Sequence, residues 1–363
     1  MQGKKDQRQP GQLVAAGPEG KTDLKNYTLP ELEEWIVSLG EKPYRARQIM
    51  RWMYEERADS FEVMTDLPRT LRDRLSAAAY LSNFSVKTVS RSADGTDKFL
   101  FLMEDGNCIE TVLIPEKRHH TICVSTQLGC AMGCAFCLSG KKGLLRNLSV
   151  AEILNQILII QKDYLPKAPV INLVFMGMGE PLANYDCLLK ALRILTDPAG
   201  CNISHRRITV STAGLVPQLE QLSRNLPVNL AISLNAASEA LRTRLMPVNK
   251  TYPLSELVAA ASRLPLPARK RITFEYILMK GINDSLDDAR HLASLLKRVP
   301  CKINLIPFNE HEGAPFRRPD GPAIEQFQQH LMARNFTVML RHSKGGDVAA
   351  ACGQLGFAHL QDD

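Results

Sequence analysis

Cys130, Cys134 and Cys137 follow one another in the spacing C-x3-C-x2-C, which allows three thiols on one loop to converge on a metal centre. Zinc and iron–sulfur sites normally take four protein ligands, so this stretch lacks one. A distant Cys or His would complete a structural zinc site. Alternatively, a [4Fe-4S] cluster with three protein ligands keeps one iron free to bind a small molecule and deliver an electron to it. That second arrangement is the one used for radical chemistry on S-adenosylmethionine.

A second stretch that can do chemistry is Gly177-Met178-Gly179-Glu180-Pro181, which follows the apolar segment 171–176. That segment has the composition of a buried strand. Glycines after a strand let the backbone approach a ligand closely, and the carboxylate of Glu180 can accept an ammonium group. A tight turn without a ligand is the alternative.

Polar side chains also stand at the ends of later predicted strands. Ser211 ends one strand, Ser233 and Asn235 end the next, and Asn309 follows the stretch 306–308. Their hydroxyl and amide groups can contact a nucleoside and a carboxylate, or they can satisfy the local backbone. In a parallel sheet, functional loops lie at these carboxyl ends of the strands.

Cys352 lies between Ala351 and Gly353, so its loop has no bulky neighbours and can enter a pocket. A lone cysteine of this kind is more often a small buried residue. Cys123 stands shortly before the cysteine triad and supplies a possible redox partner for Cys352.

The composition suits a globular chain of 363 residues, with 45% hydrophobic residues and a formal net charge of +7. No apolar run reaches the roughly 20 residues that span a bilayer, and the first residues, MQGKKDQRQPGQ, lack the apolar core of a signal peptide. We therefore expect a cytoplasmic protein without a membrane segment. Its nine cysteines would then be reduced thiols that serve a metal or catalysis. The positive charge favours a polyanionic partner.

The hydrophobic pattern divides the chain into five parts. Residues 1–22 are polar and aperiodic, which predicts a disordered tail. Residues 23–82 contain amphipathic helices, and residues 83–115 alternate apolar and polar positions around two Asp-Gly turns, which predicts a small antiparallel sheet. Residues 116–343 alternate strands with helices, which predicts an α/β region whose parallel sheet forms an open or partial barrel. Residues 344–363 form a C-terminal loop that carries the lone cysteine.

The individual elements follow from hydrophobic periodicity and capping signals. The predicted helices are 30–39, 45–56, 68–78, 150–163, 185–195, 215–224, 254–264, 285–297 and 323–334, and the predicted strands of the barrel are 171–176, 207–211, 228–234, 272–278, 302–306 and 337–341.

Basic residues cluster in ways that can bind a nucleic acid. The N-terminal helices carry Lys42, Arg45, Arg47 and Arg51 among aromatic residues. Taken singly, each basic cluster is more typical of a solvated surface. If they surround the entrance of one active site, such clusters would bind RNA phosphates with an affinity that falls as the salt concentration rises. The further clusters are Lys117-Arg118-His119-His120, Lys141-Lys142, Arg206-Arg207, Arg269-Lys270-Arg271 and Arg317-Arg318.

Together these features resemble the radical-SAM RNA methyltransferases that methylate C2 of adenine in 23S rRNA and in tRNA, the RlmN family. The C-x3-C-x2-C spacing resembles the superfamily signature, and the Gly-Glu stretch resembles the element that holds the methionyl amine of S-adenosylmethionine. The resemblance covers about residues 23 to 357. The matching stretches are EKPYRA (41–46), IETV (109–112), 123–137, RNL (146–148), MGMGEPL (176–182), STAG (211–214), MPVN (246–249) and ACGQL (351–355).

The resemblance implies a partial (β/α)6-type radical-SAM barrel with a small N-terminal helical RNA-binding domain and a short antiparallel β extension. It also implies two cofactors, a [4Fe-4S] cluster and S-adenosylmethionine. The cluster would be bound by Cys130, Cys134 and Cys137, and S-adenosylmethionine by Gly179, Glu180, Ser211, Ser233, Asn235 and Asn309. The family usually has His at the position of Asn235.

The family also implies catalytic roles, in which Cys352 is the S-methylated residue, Cys123 its partner thiol and Glu110 a proton acceptor. C2 of adenine is electrophilic, so direct transfer from a sulfonium cannot methylate it. In the family, one S-adenosylmethionine methylates Cys352, and a radical from a second takes a hydrogen from that methyl group, which then adds to C2. Loss of the C2 proton to Cys123 or Glu110 and attack of Cys123 on the Cys352 sulfur release methyladenine and leave a disulfide.

The resemblance therefore implies 23S rRNA and tRNA as partners, an electron donor such as flavodoxin or ferredoxin, and a monomer. Two alternatives remain at this stage. One is the related resistance family, which methylates C8 of the same adenine by the same mechanism. The other is a non-catalytic RNA-binding protein with a structural metal, whose RNA affinity would be indifferent to Cys352.

Overall fold

The computed structural model describes residues 20–165, 170–311 and 314–356. Most of the predicted tail, 1–22, and the end of the predicted C-terminal loop, 344–363, lie outside the described residues. In the part of the chain that the structure describes, no helix has the length and apolar character needed to cross a membrane.

The N-terminal region is helical, and a short parallel ladder of β1 (Thr22–Asp23) with β2 (Ala79–Tyr80) joins its two ends. A capping box starts its first helix, because the backbone N–H of Thr28 donates to the Glu31 carboxylate at 2.9 Å. The apolar faces of the helices are buried. The helices are α1 (Leu29–Ser38), α2 (Tyr44–Tyr54) and α3 (Arg69–Ala78).

A ten-stranded sheet organises the rest of the described chain, in the order β14-β13-β12-β11-β10-β9-β6-β5-β4-β3. From β14 to β6 all neighbours pair in parallel, and β5, β4 and β3 continue the same sheet in antiparallel pairing. The strands are β3 (Ser85–Arg91), β4 (Asp97–Leu102), β5 (Cys108–Pro115), β6 (His120–Cys123), β9 (Ile171–Phe175), β10 (Ile208–Thr212), β11 (Asn229–Ser233), β12 (Ile272–Leu278), β13 (Cys301–Pro307) and β14 (Thr337–Leu340).

Helices cover one face of the parallel strands, and the alternation along β12 shows how the two faces differ. Ile272, Phe274 and Tyr276 are fully buried, whereas Glu275 and Ile277 are only half-buried and point to the other face. The remaining helices are α4 (Leu138–Lys141), α5 (Val150–Ile159), α6 (Tyr185–Thr196), α7 (Val216–Asn225), α8 (Glu239–Leu245), α9 (Leu254–Arg263), α10 (Leu286–Leu296) and α11 (Gly321–Met332).

A separate antiparallel ribbon of β7 (Gln127–Gly129) and β8 (Leu144–Asn147) closes the loop that holds the cysteine triad. The sequence does not predict this ribbon, because strands this short carry too few residues for a period of two to be recognised. The sequence also does not predict helix α8, because this helix spans only two turns of mostly polar residues.

The α/β fold class and the parallel barrel-type sheet are confirmed, and most element boundaries lie within two residues of their predictions. The structure differs in two ways. The antiparallel strands are not a separate sheet, because β5 pairs directly with β6. The parallel part of the sheet has a seventh strand beyond the six predicted, β6, which pairs with β9.

Candidate active site

A cleft of about 790 Å³ lies at the carboxyl ends of the parallel strands. It brings together nine of the twelve residues that the sequence singles out, although they come from segments far apart in the chain. The three others, Cys123, Glu110 and Asn309, are not among its lining residues. The nine are Cys130, Cys134, Cys137, Gly179, Glu180, Ser211, Ser233, Asn235 and Cys352.

The cysteine loop is held at both ends by backbone hydrogen bonds. The N–H of Cys130 donates to the carbonyl of Gly143 at 2.9 Å, and the N–H of Ala135 donates to the carbonyl of Leu245 at 2.9 Å. Burial, with smaller contributions from the charges of Glu180 and Cys137, raises the pKa of Cys130 to about 12. Thiols in this environment need a cationic partner before they ionise, and an iron–sulfur cluster supplies one.

The three cysteines line one cleft together with the Glu180 carboxylate. A [4Fe-4S] cluster takes one thiolate per iron, so three thiols on one loop would leave one iron open toward the cleft. The residues present therefore fit the cluster that the spacing predicts.

Gly129 connects the β7–β8 ribbon to this loop in a way that no other residue can. Its φ is +75°, and a Cβ at this position would lie 1.9 Å from the carbonyl oxygen of Gly143. We expect Gly129→Ala to lower the free energy of unfolding by about 3 kcal/mol or more, since left-handed strain and a backbone clash add. We also expect it to reduce the iron bound after reconstitution. Chemical unfolding and iron analysis measure the two effects.

The matched control is Gly106→Ala, in the β4–β5 turn. Gly106 has a φ of +81°, but a Cβ there meets no atom within 4 Å. This variant should lose only the left-handed strain, about 1–2 kcal/mol, and should bind iron normally. Equal iron binding by the two variants would contradict the role assigned to Gly129.

The Gly-Glu stretch is fixed by the protein itself. A Cβ on Gly177 would lie 2.5 Å from Ser125 Oγ, and one on Gly179 would lie 2.5 Å from the Cβ of Gln127. The glycines thus allow close packing against the segment after β6, and their role in ligand approach stays a prediction. The buried Glu180 carboxylate accepts hydrogen bonds from the backbone N–H groups of Leu182 (3.0 Å) and Ala213 (2.7 Å). Burial nevertheless raises its pKa.

The strand-end polar residues differ in how free their side chains are. Asn235 has a φ of +58°, a conformation that Asn tolerates, and its Oδ1 accepts a hydrogen bond from the backbone N–H of Ile277 at 2.9 Å. Its Nδ2 donates to Met246 Sδ at 3.3 Å. The carboxamide is therefore used to join two strand ends. Ser211 donates instead to a carboxylate that the sequence analysis did not single out, Glu275, at 3.1 Å.

The Cys352 loop is tied to the barrel through the carbonyl of the cysteine and that of the residue after it. Asn309 Nδ2 donates to the Cys352 carbonyl at 3.1 Å, and the N–H of Leu138 donates to the Gly353 carbonyl at 2.9 Å. Cys352 is itself exposed, and its inner side lines the cleft. Desolvation on that side and the nearby charge of Glu275 raise the pKa of the Cys352 thiol to about 11.

Cys123 and Glu110 lie behind this loop. Cys123, at the end of β6, is buried, and burial together with the nearby charge of Cys352 raises its pKa. Glu110 is buried on β5, where Lys98 Nζ lies 3.3 Å from Oε1 and the N–H of Gly356 donates to Oε2 at 2.7 Å. Glu110 thus anchors the C-terminal segment in this conformation. Its predicted role as a proton acceptor stays a prediction.

Two further residues of the site, Glu275 and Arg242, were missed by the sequence reasoning. Glu275 could have been found, since it is the one acidic residue in the apolar strand β12. Arg242 lies on α8, is fully buried, and donates to the carbonyl oxygens of Ala213 (2.6 Å) and Leu234 (3.3 Å). Its sequence context carries no signal, because Arg on a polar helix is usually exposed.

The basic clusters do not surround one mouth, which corrects the expectation of a continuous footprint. The clusters at 117–120, 206–207 and 269–271 directly precede β6, β10 and β12, so they lie at the amino ends of the parallel strands, opposite the cleft. Lys141-Lys142 follows the cysteine loop, and Arg317-Arg318 follows β13, so both lie at the cleft end.

Comparisons with known proteins agree over most of the chain. A family model for the ribosomal RNA large subunit methyltransferase N-terminal domain matches residues 22–81, and the radical SAM superfamily model matches residues 124–293. The dual-specificity RNA methyltransferase RlmN of Geobacter sulfurreducens is 52% identical, covering 92% of this chain and 91% of its own. Its namesake from Geotalea uraniireducens is 50% identical, covering 92% and 96%.

A solved structure is similar throughout. The crystal structure of a radical SAM methyltransferase from Sphaerobacter thermophilus superposes with a TM-score of 0.87 at 43% identity. The alignment covers 92% of this chain and 98% of that one.

Proposed function

The chain belongs to the RlmN family of dual-specificity RNA methyltransferases, and on that premise we propose how its residues methylate C2 of adenine in 23S rRNA and in tRNA. The enzyme is a radical-SAM methyltransferase, with a [4Fe-4S] cluster and S-adenosylmethionine as its cofactors. One observation carries the residue assignment: an exposed cysteine, Cys352, shares a cleft with three cysteines of cluster spacing and with the Glu180 carboxylate.

In this proposal Cys130, Cys134 and Cys137 hold the cluster. Gly179, Glu180, Ser211, Ser233, Asn235 and Asn309 form the S-adenosylmethionine site. When bound, the cluster and S-adenosylmethionine supply a methyl group and a carbon-centred radical. Glu180 has a carboxylate that already accepts two backbone N–H groups, which fixes its orientation toward an ammonium group.

The chain's own thiols carry the methyl group and release the product. Cys352 receives the methyl group and presents it to the target adenine, and the resulting adduct ties RNA to the Cys352 sulfur. The C2 proton would pass to the proposed acceptor and one electron to the redox centre that the cysteine triad would hold, after which the Cys123 thiolate would attack that sulfur. The sulfur–carbon bond would break with its electron pair on carbon, and that carbon would take up a proton to become the methyl group of methyladenine. A Cys123–Cys352 disulfide would remain. The charge of Cys352 contributes to the raised pKa of the Cys123 thiol, which supports this pairing.

Glu110 is the proposed acceptor of the C2 proton, with Cys123 as its alternative. The buried carboxylate of Glu110 contacts the segment just after Cys352, which supports a role next to the transferred group. To accept the proton, the Glu110 carboxylate would first lose its hydrogen bond from the backbone N–H of Gly356.

The partners follow from the chemistry. RNA phosphates would meet Lys141-Lys142 and Arg317-Arg318 beside the cleft, together with the basic N-terminal helices. The target adenine must leave its stack to reach Cys352, which favours RNA loops. A flavodoxin or ferredoxin would serve as the electron donor, and a reductant would restore both thiols after each turnover. The need for reduced thiols supports a cytoplasmic location. We propose a monomer, because one chain contains all residues of the cleft.

The test is nucleoside mass spectrometry of 23S rRNA and bulk tRNA after anaerobic reaction with reconstituted protein, reductant and methyl-labelled S-adenosylmethionine. We expect label in 2-methyladenosine from both RNAs. Label in 8-methyladenosine would favour the related C8 family. Absence of label despite an intact cluster would overturn the catalytic assignment.

A further inference from the structure

Glu275 is an acidic side chain inside the cleft that the scheme above does not use. It lies on the inward face of β12, and it lines the cleft together with Ser211 and Cys352. Ser211 Oγ donates to its Oε2 at 3.1 Å. Burial raises its pKa against smaller opposing effects of the Ser211 hydrogen bond and of the Arg341 charge. A carboxylate held by one hydroxyl in a largely apolar cleft costs stability, which favours a functional reason for its presence.

This carboxylate lines the same cleft as Cys352 and acts through its charge on both thiols. Cys123 is on β6, and β9, β10 and β11 separate that strand from β12 in the sheet. Four strand spacings of about 4.8 Å each would keep the two residues well apart in a flat sheet. The charge of Glu275 nevertheless raises the pKa of Cys123 as well as that of Cys352. Glu275 and Cys352 both line the cleft, so the inward face of β12 faces the space in which Cys352 lies.

We propose that Glu275 is the proton acceptor that converts the Cys352 thiol into the nucleophile for its own methylation. This inference rests on the proposed function, because it assigns a base to the first methyl transfer. The proton of Cys352 S–H passes to the Glu275 carboxylate while the sulfur–methyl bond forms. The bond between that methyl group and the sulfonium of S-adenosylmethionine breaks, and S-adenosylhomocysteine leaves.

The electrostatics of the site explain why a base is needed. Burial raises the pKa of Glu275 above that of an ordinary glutamate, which brings it closer to that of the thiol it serves. The charged or titratable groups that influence Cys352 are Glu275, Arg341 and Cys137. Burial and, to a lesser extent, the charge of Glu275 raise the pKa of Cys352 to about 11, so few thiolates form spontaneously at neutral pH. Transfer of the proton to Glu275 removes the charge that opposes thiolate formation.

The test compares two reactions of Cys352 in Glu275→Gln. With reconstituted enzyme and S-adenosylmethionine but no RNA, intact-protein mass spectrometry follows S-methylation. We expect its rate to fall on the order of 100-fold, as for loss of a general base. With cluster-free protein at alkaline pH, peptide mass spectrometry follows alkylation of Cys352 by iodoacetamide. We expect this rate to rise several-fold, because removal of the negative charge lowers the thiol pKa.

Opposite changes in the two rates are specific to a proton acceptor. If S-methylation and alkylation of Cys352 both become slower, Glu275 has only a structural role. If both become faster, Glu275 acts only through its charge. Either result overturns the proposal, and so do two unchanged rates. Glu275→Asp keeps the negative charge but shortens the side chain by one methylene, which moves the carboxylate away from Cys352. It should alkylate like the wild type and methylate about tenfold more slowly, and it decides the question if Glu275→Gln does not fold.

The matched control is Glu256→Gln, an exposed glutamate on α9, which should change neither rate. The wild-type protein distinguishes a failure of the proposed function from a failure of the role proposed for Glu275. If it never gains the mass of a methyl group on Cys352, the proposed function fails before any variant is compared. If it does, a failure of the Glu275 variants concerns Glu275 alone.

Discussion

Cys352→Ala should abolish RNA methylation, with a loss on the order of 10⁴-fold or more, because no other side chain can carry the methyl group in the proposed scheme. Asn309 and Leu138 bind only backbone atoms of the Cys352 loop, so alanine should leave the loop in place. The reconstituted variant should therefore bind iron and S-adenosylmethionine normally. Labelled nucleoside analysis measures methylation, and iron analysis shows that the site is intact.

Cys123→Ala should give a different defect, which separates the roles of the two thiols. This variant still carries a methyl group on Cys352 and still attacks RNA, but it lacks the thiol that breaks the adduct. RNA should therefore accumulate in covalent linkage to protein, visible as a shifted band on denaturing gels. Free methyladenine at the wild-type rate would refute the assignment of Cys123.

Cys187→Ala provides the control for both variants. Cys187 is a half-buried thiol on α6, outside the cleft, so its loss should affect neither methylation nor adduct formation. If Cys187→Ala also lost methylation, substitution of any cysteine would cause the defect. The results would then not identify Cys123 and Cys352 as a specific pair.

The family, the cofactors and the fold class could all be predicted from the sequence, and the comparisons confirm them. The reason is physical. Cluster ligands must lie on one short loop, so Cys130, Cys134 and Cys137 appear as a local pattern. Buried strands alternating with amphipathic helices likewise leave a periodic signal that does not depend on distant residues.

Features that depend on tertiary contacts could not be predicted in this way. The use of the Asn235 carboxamide to join strand ends depends on the position of Ile277 on the neighbouring strand. The position of a basic cluster relative to the cleft depends on whether it precedes or follows a strand. Assigning each cluster to a strand end before judging its role would have separated Arg317-Arg318 from Arg269-Lys270-Arg271.

Arg242 illustrates the same limit and leads to a large expected effect on stability. It extends from α8 into the protein core, where its guanidinium donates to the carbonyls of Ala213 and Leu234 and to Asn249 Oδ1 at 2.9 Å. Asn249 belongs to the stretch MPVN, which the family resemblance includes without a stated role. Arg242 thus ties the ends of β10 and β11, which carry Ser211 and Ser233, to the segment after α8.

Arg242→Met should therefore lower the free energy of unfolding by about 3–5 kcal/mol, because a side chain of similar length leaves several buried acceptors without a donor. Burial lowers the pKa of Arg242 to about 10, so the group remains charged at neutral pH and its hydrogen bonds are charge-assisted. Arg242→Lys should recover only part of this loss, since one ammonium cannot reach acceptors on three sides. Chemical denaturation measures both changes.

The neighbouring Arg244 offers a matched control, because it lies on the same helix but is exposed. Arg244→Met should change the free energy of unfolding by no more than about 0.5 kcal/mol. Under conditions where both variants are folded, Arg242→Met should also bind S-adenosylmethionine more weakly than Arg244→Met. The reason is that the strand ends that carry Ser211 and Ser233 lose the hydrogen bonds from Arg242 that hold them together. Equal stability and equal binding in the two variants would mean that these strand ends are held by the sheet alone.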